Sequence, residues 1–162
     1  MGTVFQVTPG GTITTLYSFC AQANCTDGSA PYAGLVQATN GNLYGTTEAG
    51  GANGKGTVFE ITLGGTLTTL HSFCSQANCA DGSLPRAGLI QATNGNFYGT
   101  TFNGGALGVG SVFSITTTGK LTTLYSGGPY TSAKKAKPLQ GRPQWAGSQG
   151  SHPLRPRRSF FP

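Results

Sequence analysis

The chain repeats itself at a fixed offset of 54 residues, and this constrains its fold more than any other feature. Gly2-Thr3-Val4-Phe5 returns as Gly56-Thr57-Val58-Phe59 and again as Gly110-Ser111-Val112-Phe113. Gly34-Leu35-Val36-Gln37-Ala38-Thr39-Asn40-Gly41-Asn42 returns as Gly88-Leu89-Ile90-Gln91-Ala92-Thr93-Asn94-Gly95-Asn96. Cys20 and Cys25 return as Cys74 and Cys79. A period of this length marks a supersecondary unit that cannot bury its own apolar face and stacks on copies of itself. A residue that recurs in every unit is explained more simply by architecture than by a single active site.

Each unit reads as four strands. In the one that starts at Ala33, the first run is 33–39, and Asn40-Gly41 then signals a hairpin, since both residues tolerate positive φ. The second run is 42–47, followed by a Gly-rich loop over 50–56. The third run, 57–62, places Phe59 and Ile61 on one face and Val58 and Glu60 on the other. Gly64-Gly65 turns the chain into a fourth run, 66–73, where strict alternation predicts Leu67, Thr69, His71 and Phe73 on one face and Leu70 on the other. Apolar residues on both faces suit a small sheet sandwiched between two like sheets.

No stretch shows sustained helical periodicity, so the fold class is all-β. A four-stranded meander repeated at this interval is the usual blade of a β-propeller. The expected architecture is an incomplete, propeller-like array of four-stranded antiparallel blades: half a blade (2–19), a complete blade (34–73) and a second complete blade (88–126). Propellers close with about 4–8 blades, so this array is expected to be open and to self-associate. On the N-terminal side Phe5, Val7, Ile13, Tyr17 and Phe19 are expected to be poorly covered, and on the C-terminal side Phe113, Ile115 and Tyr125.

Charge divides the chain in two. Residues 1–126 hold three basic and four acidic side chains, whereas residues 127–162 hold Lys134, Lys135, Lys137, Arg142, Arg155, Arg157 and Arg158 with no acid. The repeats therefore carry no electrostatic footprint for nucleic acid. The second segment is rich in Pro, Gly and Ser and is expected to be a disordered tail. Its abrupt onset suits a frameshifted or truncated gene end as well as a native tail, and attraction of acidic polymers by its basic residues is a weaker, third functional reading. The chain opens on a repeat with no signal peptide, and nothing in it is apolar for long enough to span a bilayer as a helix.

These motifs resemble the tandem-repeat family called GloVer, found in bacterial surface proteins with varied C-terminal anchors. The resemblance is carried by Gly2–Phe5, Leu16–Phe19, Asp27–Gln37 and Gly41–Gly51, and again by Gly56–Phe59, Leu70–Phe73, Asp81–Gln91 and Gly95–Gly105. The segment 40–47 is also similar to the blade motif of two-component-regulator propellers, with Asn40 in place of the usual Asp and Tyr44 in place of Trp. The resemblance implies an extracellular or cell-envelope location and no enzyme activity, cofactor or catalytic residue.

The cysteines form two C-x4-C pairs in polar loops between strands. Local crosslinks Cys20–Cys25 and Cys74–Cys79 suit an exported repeat protein, with free thiols and a zinc site shared between the loops as alternatives. Asp27-Gly28 and Asp81-Gly82 read as turns in preference to calcium sites, because one carboxylate per loop is too few for that ion. His71 stands where the other units have Tyr17 and Tyr125, so it reads as a half-buried packing residue with no polar constellation beside it. No nucleophile–base pair or carboxylate pair is evident, and the Gly-rich loops lack a phosphate-binding ending. The expectation is a non-catalytic structural or interaction module, a fragment of a surface or secreted repeat protein that binds protein or glycan at blade edges. The alternative is part of an enzyme or ligand-sensing propeller whose site is completed by blades outside this chain.

Overall fold

The computed structural model describes residues 1–127, and the expected basic tail lies almost wholly outside them. The fold is all-β. Strands β1 (Thr3–Val7) and β2 (Ile13–Ser18) form a two-stranded antiparallel sheet. Strands β3 (Val36–Gln37), β4 (Leu43–Thr47), β5 (Thr57–Ile61) and β6 (Leu67–Ser72) form a four-stranded meander in that order. Strands β7 (Ile90–Gln91), β8 (Phe97–Thr101), β9 (Ser111–Ile115) and β10 (Leu121–Ser126) form another. None of the three sheets is closed on itself. No helix among the described residues is long and apolar enough to cross a membrane.

The first strand of each meander is shorter than its sequence promises, two residues in place of the seven of 33–39. The hairpin that follows uses only one positive-φ residue. Gly41 adopts φ +85° and its N–H donates to the Ala38 carbonyl, while the Ala38 N–H donates to the Asn42 carbonyl. This is the three-residue connection with a left-handed glycine.

The fourth strand corrects the predicted faces. Val58 pairs with His71 but Phe59 pairs with Thr69, so Leu70 is an extra, bulged residue. Equivalent bulges fall at Leu16 in β2 and at Leu124 in β10. One extra residue resets alternation, so Leu67 faces one way and Phe73 the other. Leu67 joins Phe59 and Ile61 in a cluster with Val4, Phe19 and Leu16 of the preceding segment. Phe73, Tyr44 and Val58 instead meet Phe97, Phe113 and Ile115 of the following sheet.

The apolar contacts between successive sheets recur in kind. Phe19 meets Phe59 edge-to-face with centroids 5.0 Å apart, and Phe73 meets Phe113 at 5.2 Å. Such pairs add about 0.5–1.5 kcal/mol to their area burial. At the second interface Tyr44 also stacks on Phe97 with centroids 4.1 Å apart. The bulges at Leu16 and Leu70 turn a carbonyl toward the next hairpin. A Cβ on Gly65 would lie 2.5 Å from the Leu16 oxygen, and one on Gly119 2.5 Å from that of Leu70. Both glycines have positive φ, so the backbone itself forms the contact.

The ends also differ from expectation. Phe19, Phe113 and Ile115 are buried, because they face inward across an interface. Among the exposed apolar residues, Phe5, Val7 and Ile13 lie on the first sheet and Ile90, Leu124 and Tyr125 on the third. Phe5 is 57% exposed whereas Phe59, 54 residues later, is 0% exposed. In urea unfolding of the dilute chain, Phe59→Ala is expected to cost about 3–5 kcal/mol and Phe5→Ala to stay within about 0.5 kcal/mol. Gly119→Ala, which adds a Cβ at positive φ against a carbonyl, should cost about 1–2 kcal/mol. Equal losses for Phe5 and Phe59 would contradict this packing.

Candidate functional site

The loops between sheets gather most of the polar residues singled out in the sequence. Cys20 is bonded to Cys25 and Cys74 to Cys79, and no cysteine among the described residues is free. The pairing consumes the thiolates that a shared zinc site would need. Each crosslink closes a loop containing a short 3-10 turn, Ala23–Cys25 or Ala77–Cys79. Several residues in these loops have left-handed backbone without being glycine: Cys20, Asn24 and Cys25 in the first, Cys74, Asn78 and Cys79 in the second. That conformation costs non-glycine residues about 1–2 kcal/mol each, so the loops need support from elsewhere.

The support comes from a buried aspartate. Asp27 and Asp81 are both 0% exposed. Asp27 accepts the Tyr17 hydroxyl at 2.9 Å, the Ala21 N–H at 3.0 Å and the Gln22 N–H at 3.4 Å. Asp81 accepts the His71 ring at 2.9 Å, the Ser75 N–H at 3.0 Å, the Ser75 hydroxyl at 2.8 Å and the Gln76 N–H at 3.3 Å. A carboxylate only accepts, so Nε2 of His71 carries the proton in this bond. The aspartate therefore ties the loop both to itself and to the fourth strand. This corrects one expectation and agrees with another. His71 does have a polar constellation beside it, whereas each Asp-Gly pair is the expected turn, with the aspartate accepting backbone N–H groups and Gly28 and Gly82 at positive φ.

The His71–Asp81–Ser75 cluster superficially resembles a hydrolase triad. Its geometry is different. Ser75 and His71 both donate to the same oxygen, Oδ2 of Asp81, so the imidazole does not receive the serine proton. Burial on its own would raise the Asp81 pKa. The hydrogen bonds from Ser75, His71 and Gln76 outweigh it and hold the carboxyl below its ordinary value. At the matching place, burial and then the bond to Asp27 push the Tyr17 phenol upward.

The Gly-rich loops dock onto the cystine loops. The carbonyl of Cys25 accepts the N–H groups of Gly28 and Gly51, and that of Cys79 accepts those of Gly82 and Gly105. A Cβ on Gly50 would lie 2.6 Å from the Cys25 oxygen, and that close approach is what the glycine permits.

Some residues that differ between units come together. Arg86 donates to Glu48 at 2.6 Å, and its guanidinium lies 4.0 Å from the centroid of Phe102. Their counterparts in the other units differ, since Phe102 stands 54 residues after Glu48 and Tyr32 stands 54 residues before Arg86. Glu60 was not singled out at all, yet it accepts from Asn42 at 2.6 Å and from the Tyr44 hydroxyl at 2.8 Å. The signal was available, because Glu60 stands where the flanking units have Gln6 and Ser114.

The third feature is an open groove beside β1. It has a volume of about 350 Å³ and is lined by Thr3, Val4, Phe5, Pro31, Ala33 and Leu35, among others. Among the described residues, no group of three or more His, Cys, Asp or Glu side chains is placed to hold a metal ion.

Asp81→Ala removes the charged acceptor that Ser75, His71 and Gln76 share and is expected to cost about 3 kcal/mol, whereas His71→Tyr should cost little, because Tyr17 makes the same bond at Asp27. A carboxyl whose folded pKa is depressed contributes stability that is present above the unfolded value of about 3.9. That stability is lost as pH falls through the folded value. Urea midpoints should therefore drop below about pH 4, and less steeply in Asp81→Asn. Reducing each six-residue crosslink should cost about 2 kcal/mol. A flat acid limb in the parent chain would contradict the role of Asp81.

A family model described as the Gloeobacter/Verrucomicrobia repeat matches residues 1–146. No match to a curated protein is found. The matched region contains all three sheets, both crosslinked loops and both buried aspartates. On this match the chain belongs to the Gloeobacter/Verrucomicrobia repeat (GloVer) family.

Proposed function

We propose that residues 1–127 are an open, propeller-like array of blades serving as a non-catalytic interaction module of a bacterial cell-surface or secreted repeat protein. Protein or glycan contacts belong to its blade edges and loops, and copies associate through its ends. The observation that carries this reading is the pair of bare apolar faces. Phe5, Val7 and Ile13 occupy the positions that Phe59, Ile61 and Leu67 hold at an internal interface. At the other end, Ile90 and Leu124 occupy the positions that Val36 and Leu70 hold. One end therefore offers the surface that the other end is shaped to cover. Exposed apolar patches of this kind mark association sites. The crosslinks support an oxidising, extracellular location.

The matching of unlike faces makes the contact head-to-tail, a geometry that closes into rings or propagates. The second reading, a catalytic or sensing propeller completed by further blades, is favoured by Glu60, an acid that the flanking units lack. Its bonds to Asn42 and Tyr44 are structural as they stand.

Light scattering on the purified chain should show association that weakens on dilution. Phe5→Lys alone and Leu124→Lys alone should each be monomeric, and mixing the two should restore a one-to-one dimer through the two intact ends. A parent chain that stays monomeric at every concentration would remove the reading. Dimers formed by either variant alone would show like faces meeting instead.

A further inference from the structure

We infer that Arg86 and Glu48, at the junction between the two complete sheets, form a binding site for an acidic glycan. The ligand is a chain of uronic acids, whose carboxylate is received by the Arg86 guanidinium and whose ring hydroxyls are received by Glu48. The inference rests on the reading above in taking the chain as an interaction module, and it names the ligand class. It makes no use of the ends of the array.

Residues that recur in every unit serve the architecture, so those that break the repeat and also meet in space point elsewhere. Arg86 stands where the preceding unit has Tyr32, Glu48 where the following unit has Phe102, and Lys55 where the following unit has Val109. All three belong to one junction. Arg86 reaches back to Glu48 of the second sheet and lies over Phe102 of the third. The Lys55 carbonyl accepts the N–H of Leu84 at 2.9 Å, two residues before Arg86. Two of the three basic residues of 1–126 are thus supplied from the two sides of the same junction. The loop that carries Lys55 does not need a lysine to fold. Its Gly54 and Gly56 N–H groups donate to the Gly51 and Gly50 carbonyls, and Gly108 and Gly110 repeat those bonds in the loop that carries Val109.

The guanidinium is held but not used up. Its Nε donates to Oε1 of Glu48 at 2.6 Å, and the Phe102 ring lies 4.0 Å beneath it. These two contacts fix its plane, and a cation on an aromatic face gains a further attraction. The Arg86 side chain is nevertheless 50% exposed. Among the described residues, neither terminal nitrogen donates to a protein acceptor. A guanidinium presents five donors in a rigid fork. The edge formed by its two terminal nitrogens therefore stays open, in the geometry that takes a carboxylate through two parallel bonds.

Glu48 decides what kind of carboxylate fits. Its Oε1 receives Arg86, and its Oε2 receives nothing among the described residues. No side-chain oxygen or nitrogen among these residues is both buried and unpartnered, so Oε2 reaches solvent. The site thus offers open donors beside an open, negatively charged acceptor. A plain carboxylate, such as that of an acidic peptide side chain, satisfies the donors and meets Glu48 as a like charge. A uronic acid brings hydroxyls on the carbons next to its carboxylate-bearing end, and these donate to Glu48 while the carboxylate takes the fork. Around the fork stand a ring and a carboxylate, not the apolar pocket that anchors a peptide.

The test is an NMR titration of the full chain with trigalacturonate at neutral pH. Saturable shifts of the Arg86 Nε–H signal and of the Glu48 and Phe102 amides are expected. The trimethyl ester keeps the hydroxyls and loses the charge, whereas triglutamate keeps the charge and lacks the hydroxyls. Each should bind about tenfold more weakly or worse. Arg86→Lys keeps the charge but not the fork and should lose about as much. The ligand comparisons use the parent chain, so they stand whether or not that variant folds. Absence of saturable shifts, equal binding of either comparison ligand, undiminished binding by folded Arg86→Lys, or shifts confined to residues 128–162 would each overturn the inference. A chain that associates through its ends but ignores the trisaccharide loses this site and keeps the association. A chain that takes the trisaccharide at Arg86 yet stays monomeric does the reverse.

Discussion

One extra residue in the last strand of each sheet decides how the sheets hold together. Leu16 and Leu70 are bulged, and the bulge moves Phe19 and Phe73 to the face that meets the following sheet. There they contact Phe59 and Phe113 edge-to-face. Without the bulge, strict alternation would leave Phe73 beside Leu67 on the opposite face, and the second interface would lose one of its fully buried rings. The same bulge aims a carbonyl at Gly65 or Gly119, so backbone and side chain both depend on it. A chain with few charged residues and many glycines thus achieves close packing through a small number of aromatic contacts and close backbone approaches.

The connections between sheets meet a different requirement. They are polar, short of apolar anchors and locally strained, with left-handed cysteines and asparagines. A buried carboxylate at the centre of each accepts two backbone N–H groups of its own loop, which satisfies the charge it carries out of water. Tyr17 or His71 then links that carboxylate to the fourth strand. The two side chains are alternatives with one function, because each presents a single donor at the same place. The crosslink limits how far the loop can open, and the Gly-rich loop of the next sheet closes over it. A cluster that looks catalytic by composition is in this way accounted for by folding.

Much of this was legible in the sequence. The strand count, the turn at Gly64-Gly65 and the loop at 50–56 follow from composition, periodicity and spacing, whereas the local pairing of cysteines was the favoured one of three readings. The faces of the fourth strand did not, because a single-residue bulge leaves no mark in an alternating pattern when both faces are apolar. The burial of Phe19 was missed with it, and that of Phe113 and Ile115 because the face they present was assigned to the wrong neighbour. The role of Asp27 was half visible. The sequence indicates that an Asp before a Gly accepts backbone hydrogen bonds, but not that the donors lie five and six residues earlier or that a tyrosine joins them. Arg86 and Glu60 depart from the repeat, although Glu60 was not read as a departure. Their partners were not legible, since Arg86 reaches across 38 residues to Glu48.

Near-identical units raise a question of specificity that buried aromatic pairs cannot answer. Phe19–Phe59 and Phe73–Phe113 are interchangeable in kind, so these contacts alone would stabilise a sheet packed against the wrong neighbour almost as well as against the right one. Tandem repeats of this sort are prone to misassembly and swapping between copies. The polar departures distinguish the units. Arg86 meets Glu48 on one side and Phe102 on the other, and no other unit carries that trio. Glu60 receives both Asn42 and Tyr44 within its own sheet, where the third sheet has Ser114 facing Tyr98. An exposed arginine–glutamate pair contributes little to stability, typically under about 1 kcal/mol. Its value is the difference it makes between the correct neighbour and a wrong one, which would leave Glu48 without its guanidinium. Apolar repetition therefore supplies the cohesion of the array, and the few positions that break the repeat supply its order.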